Sequence, residues 1–324
     1  MAQPHQQSSV DTQQQGSVND QARLQTMKTT FASAYQKLDT CTDYMAKDIS
    51  DTLGMLSVKS MEEDTRTAYG DILADLGFGK LFVKMWNNMP SKNSLHKMQR
   101  LTMKQAFWNY TDLSKKFCLE LGKAGALELL LQELEDLKDS KSVQAQDHVN
   151  TDLVLVYNCA RFCDENRAVF RAFCSKNSQT AVDILSGYFT DSVLVNKTVS
   201  LLTLAYIVEE NESEKLATTG TTGCLTFLIS LLEESLRYSN HRATSVIFST
   251  EEILGGLNEL AQNDSNKVKI VEEGGVPLIT KVLTNAICKE ERAMAALTLW
   301  RLAFVASNRQ VICKNGNAIK GKLI

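Results

Sequence analysis

Proline occurs only three times in this chain, at Pro4, Pro90 and Pro277, so long stretches pass without a helix breaker. No run of 18 apolar residues exists; the richest window, Leu225 to Leu232, is too short to span a bilayer. No run of Lys and Arg exceeds a pair, and 35 basic against 38 acidic residues leave a formal charge of −3. The concentrated basic field of a phosphate-backbone binder is missing, so neither nucleic acid nor membrane is expected as a partner. The opening MAQPHQQSSVDTQQQ lacks the basic and apolar regions of a signal peptide. The eight cysteines therefore read as reduced thiols, and a cytoplasmic location is expected. Runs of alternating β-branched residues are scarce. Apolar residues are plentiful, at 44 % hydrophobic with leucine prominent, which points to a folded, all-α body.

Residues 1–20 are rich in Gln and almost free of large apolar side chains, the composition of a disordered tail. Asp20 is placed to cap a helix, and Leu24, Met27, Phe31, Ala34, Leu38, Cys41 and Met45 follow at alternating spacings of three and four. Such a stripe suits a coiled-coil seam or a helix that covers the first face of a repeat array. Ala34 and Cys41 are weak seam residues and favour the second. Residues 21–64 are accordingly read as an N-terminal helical cap region and residues 65–324 as helical repeats.

The repeats show as internal identity. Residues 253–278 laid on residues 295–320, a displacement of 42, share Leu257/Leu299, Leu260/Leu302, Ala261/Ala303, Ser265/Ser307, Asn266/Asn308, Ile270/Ile312 and Gly274/Gly316, with Lys267 facing Arg309. The matches fall on one helix face and then on a loop. Asn266 sits where a helix restarts and can cap it. Gly274-Gly275 allows a sharp turn, and Pro277 suits the first turn of the next helix. Degenerate copies lie upstream: Leu201, Leu204, Ala205 and Asn211 before Gly220 and Gly223, then Val156, Cys159, Ala160 and Asn166, then Phe117, Leu121 and Gly125. Residues 234–250 read as an insertion. After Gly316 the pattern calls for a third helix where only NAIKGKLI remains. The last repeat is thus expected to be incomplete, leaving Leu299, Leu302 and Val311 uncovered, and the chain to be a fragment or to self-associate through this end.

The segment NDSNKVKIVEEGGVPLITKVL, residues 263–283, resembles the armadillo repeat family, and the likeness extends over roughly residues 100–320. It implies an armadillo-like, right-handed helical solenoid of three-helix units, a non-catalytic scaffold or signalling adaptor that holds a protein or peptide ligand in a groove lined by third helices. KTVSLLTLAYIVEE, residues 197–210, and residues 243–275 are similar to animal proteins in which armadillo-like repeats precede a Toll/interleukin-receptor (TIR) domain. That narrower likeness implies, as an alternative, the regulatory, autoinhibitory or nucleotide-sensing arm of an NAD-cleaving enzyme whose catalytic domain is not in this sequence. The W-x-x-x-N array of the nuclear-import branch is not matched, since Trp86, Trp108 and Trp300 lack an Asn four residues on.

No catalytic, cofactor or metal site is expected. Gly77-Phe78-Gly79 lacks a third glycine at dinucleotide-fingerprint spacing, and Gly220-Thr221-Thr222-Gly223 lacks the Lys of a phosphate loop; both read as helix-end turns. Cys159 and Cys163, with Cys174 and His148 nearby in sequence, lack the paired spacing of a zinc site and read as core thiols. His5, His96, His148 and His241 are isolated. If third helices line a groove, exposed acids at Glu133, Asp136, Glu233 and Glu234 would suit a basic ligand.

Overall fold

The computed structural model describes residues 7–44, 47–57, 63–90, 92–190, 192–218, 223–246 and 248–320. Among them are eighteen helices and one two-stranded hairpin. The chain divides into two compact units, Met1–Glu133 with Lys141–Val169, and Leu134–Ser140 with Phe170–Ile324.

Unit 1 opens on α1 (Gln7–Asp39). This helix starts well before Asp20, because a glutamine-rich stretch without proline after Pro4 has adequate helix propensity; residues 1–6 lie outside the described residues. Phe31, Ala34 and Leu38 are buried, and α1 packs on α3 (Glu63–Leu76) and α4 (Phe78–Asn88). Phe31 stands edge-on to Tyr69 at 5.7 Å and to Tyr110 at 6.2 Å. The apolar stripe is therefore satisfied inside the unit; its last residue, Met45, lies outside the described residues. Between α2 (Lys47–Leu56) and α5 (Ser94–Thr111), the Tyr110 hydroxyl donates to the Leu56 carbonyl at 2.6 Å. Then come α6 (Lys115–Ala124), α7 (Ala126–Leu137), α8 (Val143–Phe162) and α9 (Asp164–Ala172), of which α7 and α9 are divided between the units.

Unit 2 continues with α10 (Ala181–Phe189), α11 (Leu194–Ile207), α12 (Glu210–Thr218) and α13 (Cys224–Ser235), then α14 (Thr250–Leu260), α15 (Asp264–Glu272), α16 (Gly275–Asn285), α17 (Lys289–Leu302) and α18 (Ala306–Lys320). The turn from second to third helix uses one device. Gly77, Gly125 and Gly274 have φ of +82°, +87° and +82°, the left-handed conformation that ends a helix without a Cβ penalty. Gly275 serves a different need, because a Cβ there would lie 2.7 Å from the Ile270 carbonyl oxygen.

Asn266 does not cap its helix. Asn263 does, accepting from the Asn266 N–H at 3.1 Å. Asn266 stands at the third helical position, and its Nδ2 donates to the Leu260 carbonyl at 3.0 Å and the Ser213 carbonyl at 3.1 Å. One acceptor ends the helix just before it; the other is the fourth residue of the preceding repeat's second helix. Asn308 repeats this with Leu302 at 3.1 Å and Lys267 at 3.1 Å. In unit 1, Asn166 does so with Cys159 at 3.2 Å and Cys118 at 2.9 Å. The basic residue that follows each asparagine closes the preceding helix end. Arg167 Nε donates to the Ala160 carbonyl at 2.9 Å, Lys267 to Gln262 at 3.3 Å and Arg309 Nε to Ala303 at 2.8 Å. A Cβ at Gly122 would overlap the Asn166 amide, so the clasp also explains that glycine.

Two further expectations are corrected. Gly316 is not a turn: α18 runs through it, since one glycine inside a helix costs only about 1 kcal/mol relative to alanine. Leu302 is buried and Leu299 half-buried, so the exposed apolar residues of α17 are Leu297 and Trp300, continued by Phe304; Val311 is exposed as expected. The insertion holds a small antiparallel hairpin, β1 (Arg242–Ala243) with β2 (Phe248–Ser249). Hydrogen bonds of Thr250 to the His241 carbonyl anchor it.

Removing one clasp should leave two buried carbonyls without their donor. Asn266→Ala is expected to destabilise by about 2–4 kcal/mol, with hydrogen-exchange protection lost first in α12, α14 and α15. Asn266→Asp should be no better, since the lost group is the N–H donor. Chemical denaturation with residue-resolved exchange checks both.

Candidate functional site

The four acids singled out in the sequence meet different fates. Asp136 is exposed on α7. Glu233 is exposed on α13 and paired with Arg237 one turn on, at 3.1 Å. Glu234, its neighbour, turns into the insertion, where its carboxylate accepts from Ser245 N at 2.9 Å, Ser245 Oγ at 2.6 Å and Thr244 Oγ1 at 3.3 Å. Those Ser245 hydrogen bonds hold its carboxyl below the usual range. Glu133 is not a surface acid at all: only 8 % of it is exposed. Glu133 and Asp136, three residues apart on α7 and both expected at the surface, sit on opposite sides of the buried boundary.

Glu133 belongs to a charge network in unit 1. Lys104 on α5, 0 % exposed, places its ammonium 2.5 Å from Glu133 Oε2, 2.5 Å from Asp152 Oδ1 and 2.9 Å from His148 Nδ1. Glu133 and His148 meet the ammonium by hydrogen bonds, and Asp152 stands beside it as an ion-pair contact. A lysine can be fully buried only when its charge is answered in this way. Arg100, one turn before Lys104, lies 3.6 Å from Glu133 Oε1, donates to the Trp86 carbonyl at 3.0 Å and stacks 4.2 Å over the Trp86 ring. Burial pushes the Glu133 carboxyl up, but His148 and the Lys104 ammonium outweigh it and hold it well below the usual carboxylate range. Burial pushes Asp152 well above its ordinary value, and the Lys104 charge offsets that only in part while the neighbouring Glu133 carboxylate adds to it. Of the two carboxyls Glu133 is thus made the stronger acid and Asp152 the weaker.

Sequence reading missed this cluster. Lys104 sits beside Met103 on the apolar face of α5, and Asp152 interrupts an otherwise apolar stretch of α8; a charge embedded in a buried face was the available signal. His148 joins the network and not the cysteines. Cys118 donates to the Thr111 carbonyl at 3.1 Å and Cys163 to Lys115 at 3.4 Å. Burial pushes the Cys118 thiol well above its usual value and Cys163 up to about 11. These are protonated core thiols, not the thiolates a metal or nucleophile needs. Glu133, His148 and Asp152 converge on an ammonium, which occupies the centre a metal ion would take.

In unit 2 the outward residues of the third helices are Ser186 on α10, Phe227, Ser230 and Glu233 on α13, and Lys281 and Thr284 on α16. Beside them the Lys197 ammonium lies between two rings, 4.9 Å from Phe189 and 4.6 Å from Phe227. That cation is fixed in place by aromatic faces. No helix among the described residues is long and apolar enough to cross a membrane.

No family model matches the chain, and no curated protein does. Solved structures do. A designed armadillo repeat protein superposes with a TM-score of 0.50 at 18 % identity, over 84 % of this chain and 99 % of its own. Two engineered proteins give TM-scores of 0.50 and 0.52 at 18 % identity, covering 84 % and 88 % of this chain and 96 % and 61 % of theirs. The fold is an armadillo-like array of helical repeats. The resemblances stop there: nothing among them supports the narrower likeness to TIR-bearing proteins.

The two carboxyls of the network should respond in opposite ways. Glu133→Gln leaves the buried ammonium without its ionised partner and is expected to cost about 3–5 kcal/mol. Asp152→Asn keeps an oxygen for Lys104 and removes the need for a proton, so it should be tolerated or stabilising. A carboxyl raised in the folded state contributes fully below its unfolded value and loses that contribution as pH rises through the folded one. Glu133, lowered, behaves inversely and loses its contribution only in strong acid. Wild-type stability should therefore fall as pH rises from the ordinary Asp value to the raised value of Asp152, and Asp152→Asn should not, as denaturant midpoints across pH will show.

Proposed function

We propose that the chain is a non-catalytic protein-binding scaffold of the armadillo type, which holds an extended peptide or a partner domain against third helices. The proposed setting is signalling in the cytoplasm, where the eight free thiols stay reduced. The observation that carries the reading is the outward face of α10, α13 and α16 in unit 2. Its small polar, aromatic and charged residues contribute little to the core, so they remain open to a ligand. Asp136, Glu233 and Glu234 are kept as contact residues for a basic segment; Glu133 is withdrawn because it is buried. Glu234 contributes its charge while its oxygens stay engaged by the insertion.

A photo-crosslinking residue placed at Ser230 or Thr284 should capture the partner in cells, and one placed at Glu212 on second helix α12 should not. Capture from Glu212 alone would refute the assignment of the face. Reversing charge at Asp136 and Glu233 should weaken capture at low salt by roughly tenfold; unchanged capture would remove the acidic contribution.

A second reading, self-association through the end of the chain, rests on α17. Trp300 is 60 % exposed, its ring edge-on to that of exposed Phe304 at 4.8 Å, with Leu297 on the same face one turn back. Such an apolar stripe favours an isologous contact between two copies. Sedimentation should show concentration-dependent dimerisation that is lost on Trp300→Ser with Phe304→Ser; a wild-type monomer at every concentration would end this reading.

A further inference from the structure

The insertion between α13 and α14 exposes two hydroxyls, Thr244 and Ser245, in the turn after β1, and Arg242 stands exposed on β1 three residues before Ser245. An arginine at that distance from a hydroxyl is a charge pattern read by arginine-directed protein kinases, whose carboxylates pair with the guanidinium. The sequence places an arginine three residues before a Ser or Thr at only one other position, Arg23 and Thr26. There the chain lies inside α1 and the Thr26 hydroxyl donates to the Ala22 carbonyl at 2.9 Å, so a helix would have to unwind before a kinase could take it. Ser245 lies outside any helix.

The hairpin is fastened at its base and at its tip. At the base the Thr250 N–H donates to the His241 carbonyl at 2.9 Å, and His241 Nδ1 lies 2.6 Å from Glu291 Oε1 on α17. At the tip, Glu234 of α13 accepts from Ser245 N at 2.9 Å and from Ser245 Oγ at 2.6 Å, and Val246 is buried. Between base and tip the ladder has two residue pairs, Arg242 with Ser249 and Ala243 with Phe248. So short a ladder contributes little by itself. Opening of the tip is therefore governed by Glu234 and by the burial of Val246, and it lays out Arg242 to Val246 as an extended segment.

We propose that Ser245 is a phosphorylation site for an arginine-directed protein kinase, and that the modification unfastens the tip of the insertion from α13. The Ser245 hydroxyl oxygen attacks the γ-phosphorus of ATP. The Oγ–P bond forms as the bond to the bridging oxygen of the β-phosphate breaks, the hydroxyl proton passes to the kinase's carboxylate base, and ADP leaves. The product lacks the O–H that Glu234 accepts. It also sets about two negative charges, on oxygens that are mainly acceptors, beside a carboxylate held ionised by those same hydrogen bonds. The missing donor and the repulsion both oppose reclosure, and Arg242 offers the phosphate a cation instead. The base of the hairpin shares none of these contacts and stays closed.

The test treats the whole chain with the catalytic subunit of cyclic-AMP-dependent protein kinase and magnesium ATP, locates phosphate by tandem mass spectrometry, and compares hydrogen exchange before and after. Phosphate is expected on Ser245. Protection at residues 243–246 should then fall by at least about tenfold, the scale of one lost hydrogen bond to a charged group, while α17 keeps its own. Glu234→Ala removes the anchor in advance, so it should be phosphorylated faster than wild type and lose no further protection on modification. Wild type left without phosphate on Ser245 overturns the proposal. So does a modified tip that keeps its protection, or an equal further loss in Glu234→Ala.

Discussion

An asparagine amide shared between two backbone carbonyls holds the repeats in register. At Asn166, Asn266 and Asn308 the same Nδ2 reaches back to the end of the first helix of its own repeat and sideways to the second helix of the repeat before. The carbonyls at helix ends have no partner within the helix, and in a stack of helices they are shut away from water. One side chain answers one of them and ties it to a carbonyl inside the neighbouring second helix, and the adjacent Arg or Lys answers another. Other features accompany this joint: the turn between first and second helix is short, and Gly122 has no Cβ to overlap the Asn166 amide. Where α12 carries Glu212 in place of the asparagine, Glu212 accepts from the Glu209 N–H at 3.1 Å and Arg171 Nε donates to the Ile207 carbonyl at the end of α11 at 3.0 Å.

The repeat architecture was legible because its signals are local. Leu257, Leu260 and Ala261 lie on one helix face, Gly274 needs a left-handed turn, and both patterns recur at 42 residues. Even the joint was visible as the aligned pairs Asn266/Asn308 and Lys267/Arg309. Its chemistry was not, because the acceptors are backbone groups of a helix 41 to 53 residues away, and no side chain marks them. An asparagine three residues into a helix reads as a cap when only its neighbours in sequence are in view.

The candidate site was much less legible. Glu133 looks like Glu233: each is an acid in the second half of a leucine-rich third helix. One is enclosed by Lys104, Arg100, His148 and Asp152, contributed by segments 15 to 33 residues away; the other faces water. Sequence periodicity distinguishes apolar from polar faces, but it cannot tell a solvated acid from one that meets a buried lysine. The charge of Lys104 on an apolar face was the clue, and it acquires meaning only when α7 and α8 are brought beside α5.

The clasp has a consequence for how such a chain can change in length. Its donor is one asparagine per repeat, but its acceptors are main-chain oxygens, which every amino acid supplies. Within unit 2, excising one whole repeat would set Asn308 opposite the Ser213 carbonyl in place of Lys267, and the two would be as compatible as before. Duplication of a whole repeat would likewise create a seam that already fits. An array joined through the backbone can gain or lose whole modules while the outward side chains diverge independently, so ligand preference and array length are free to vary separately.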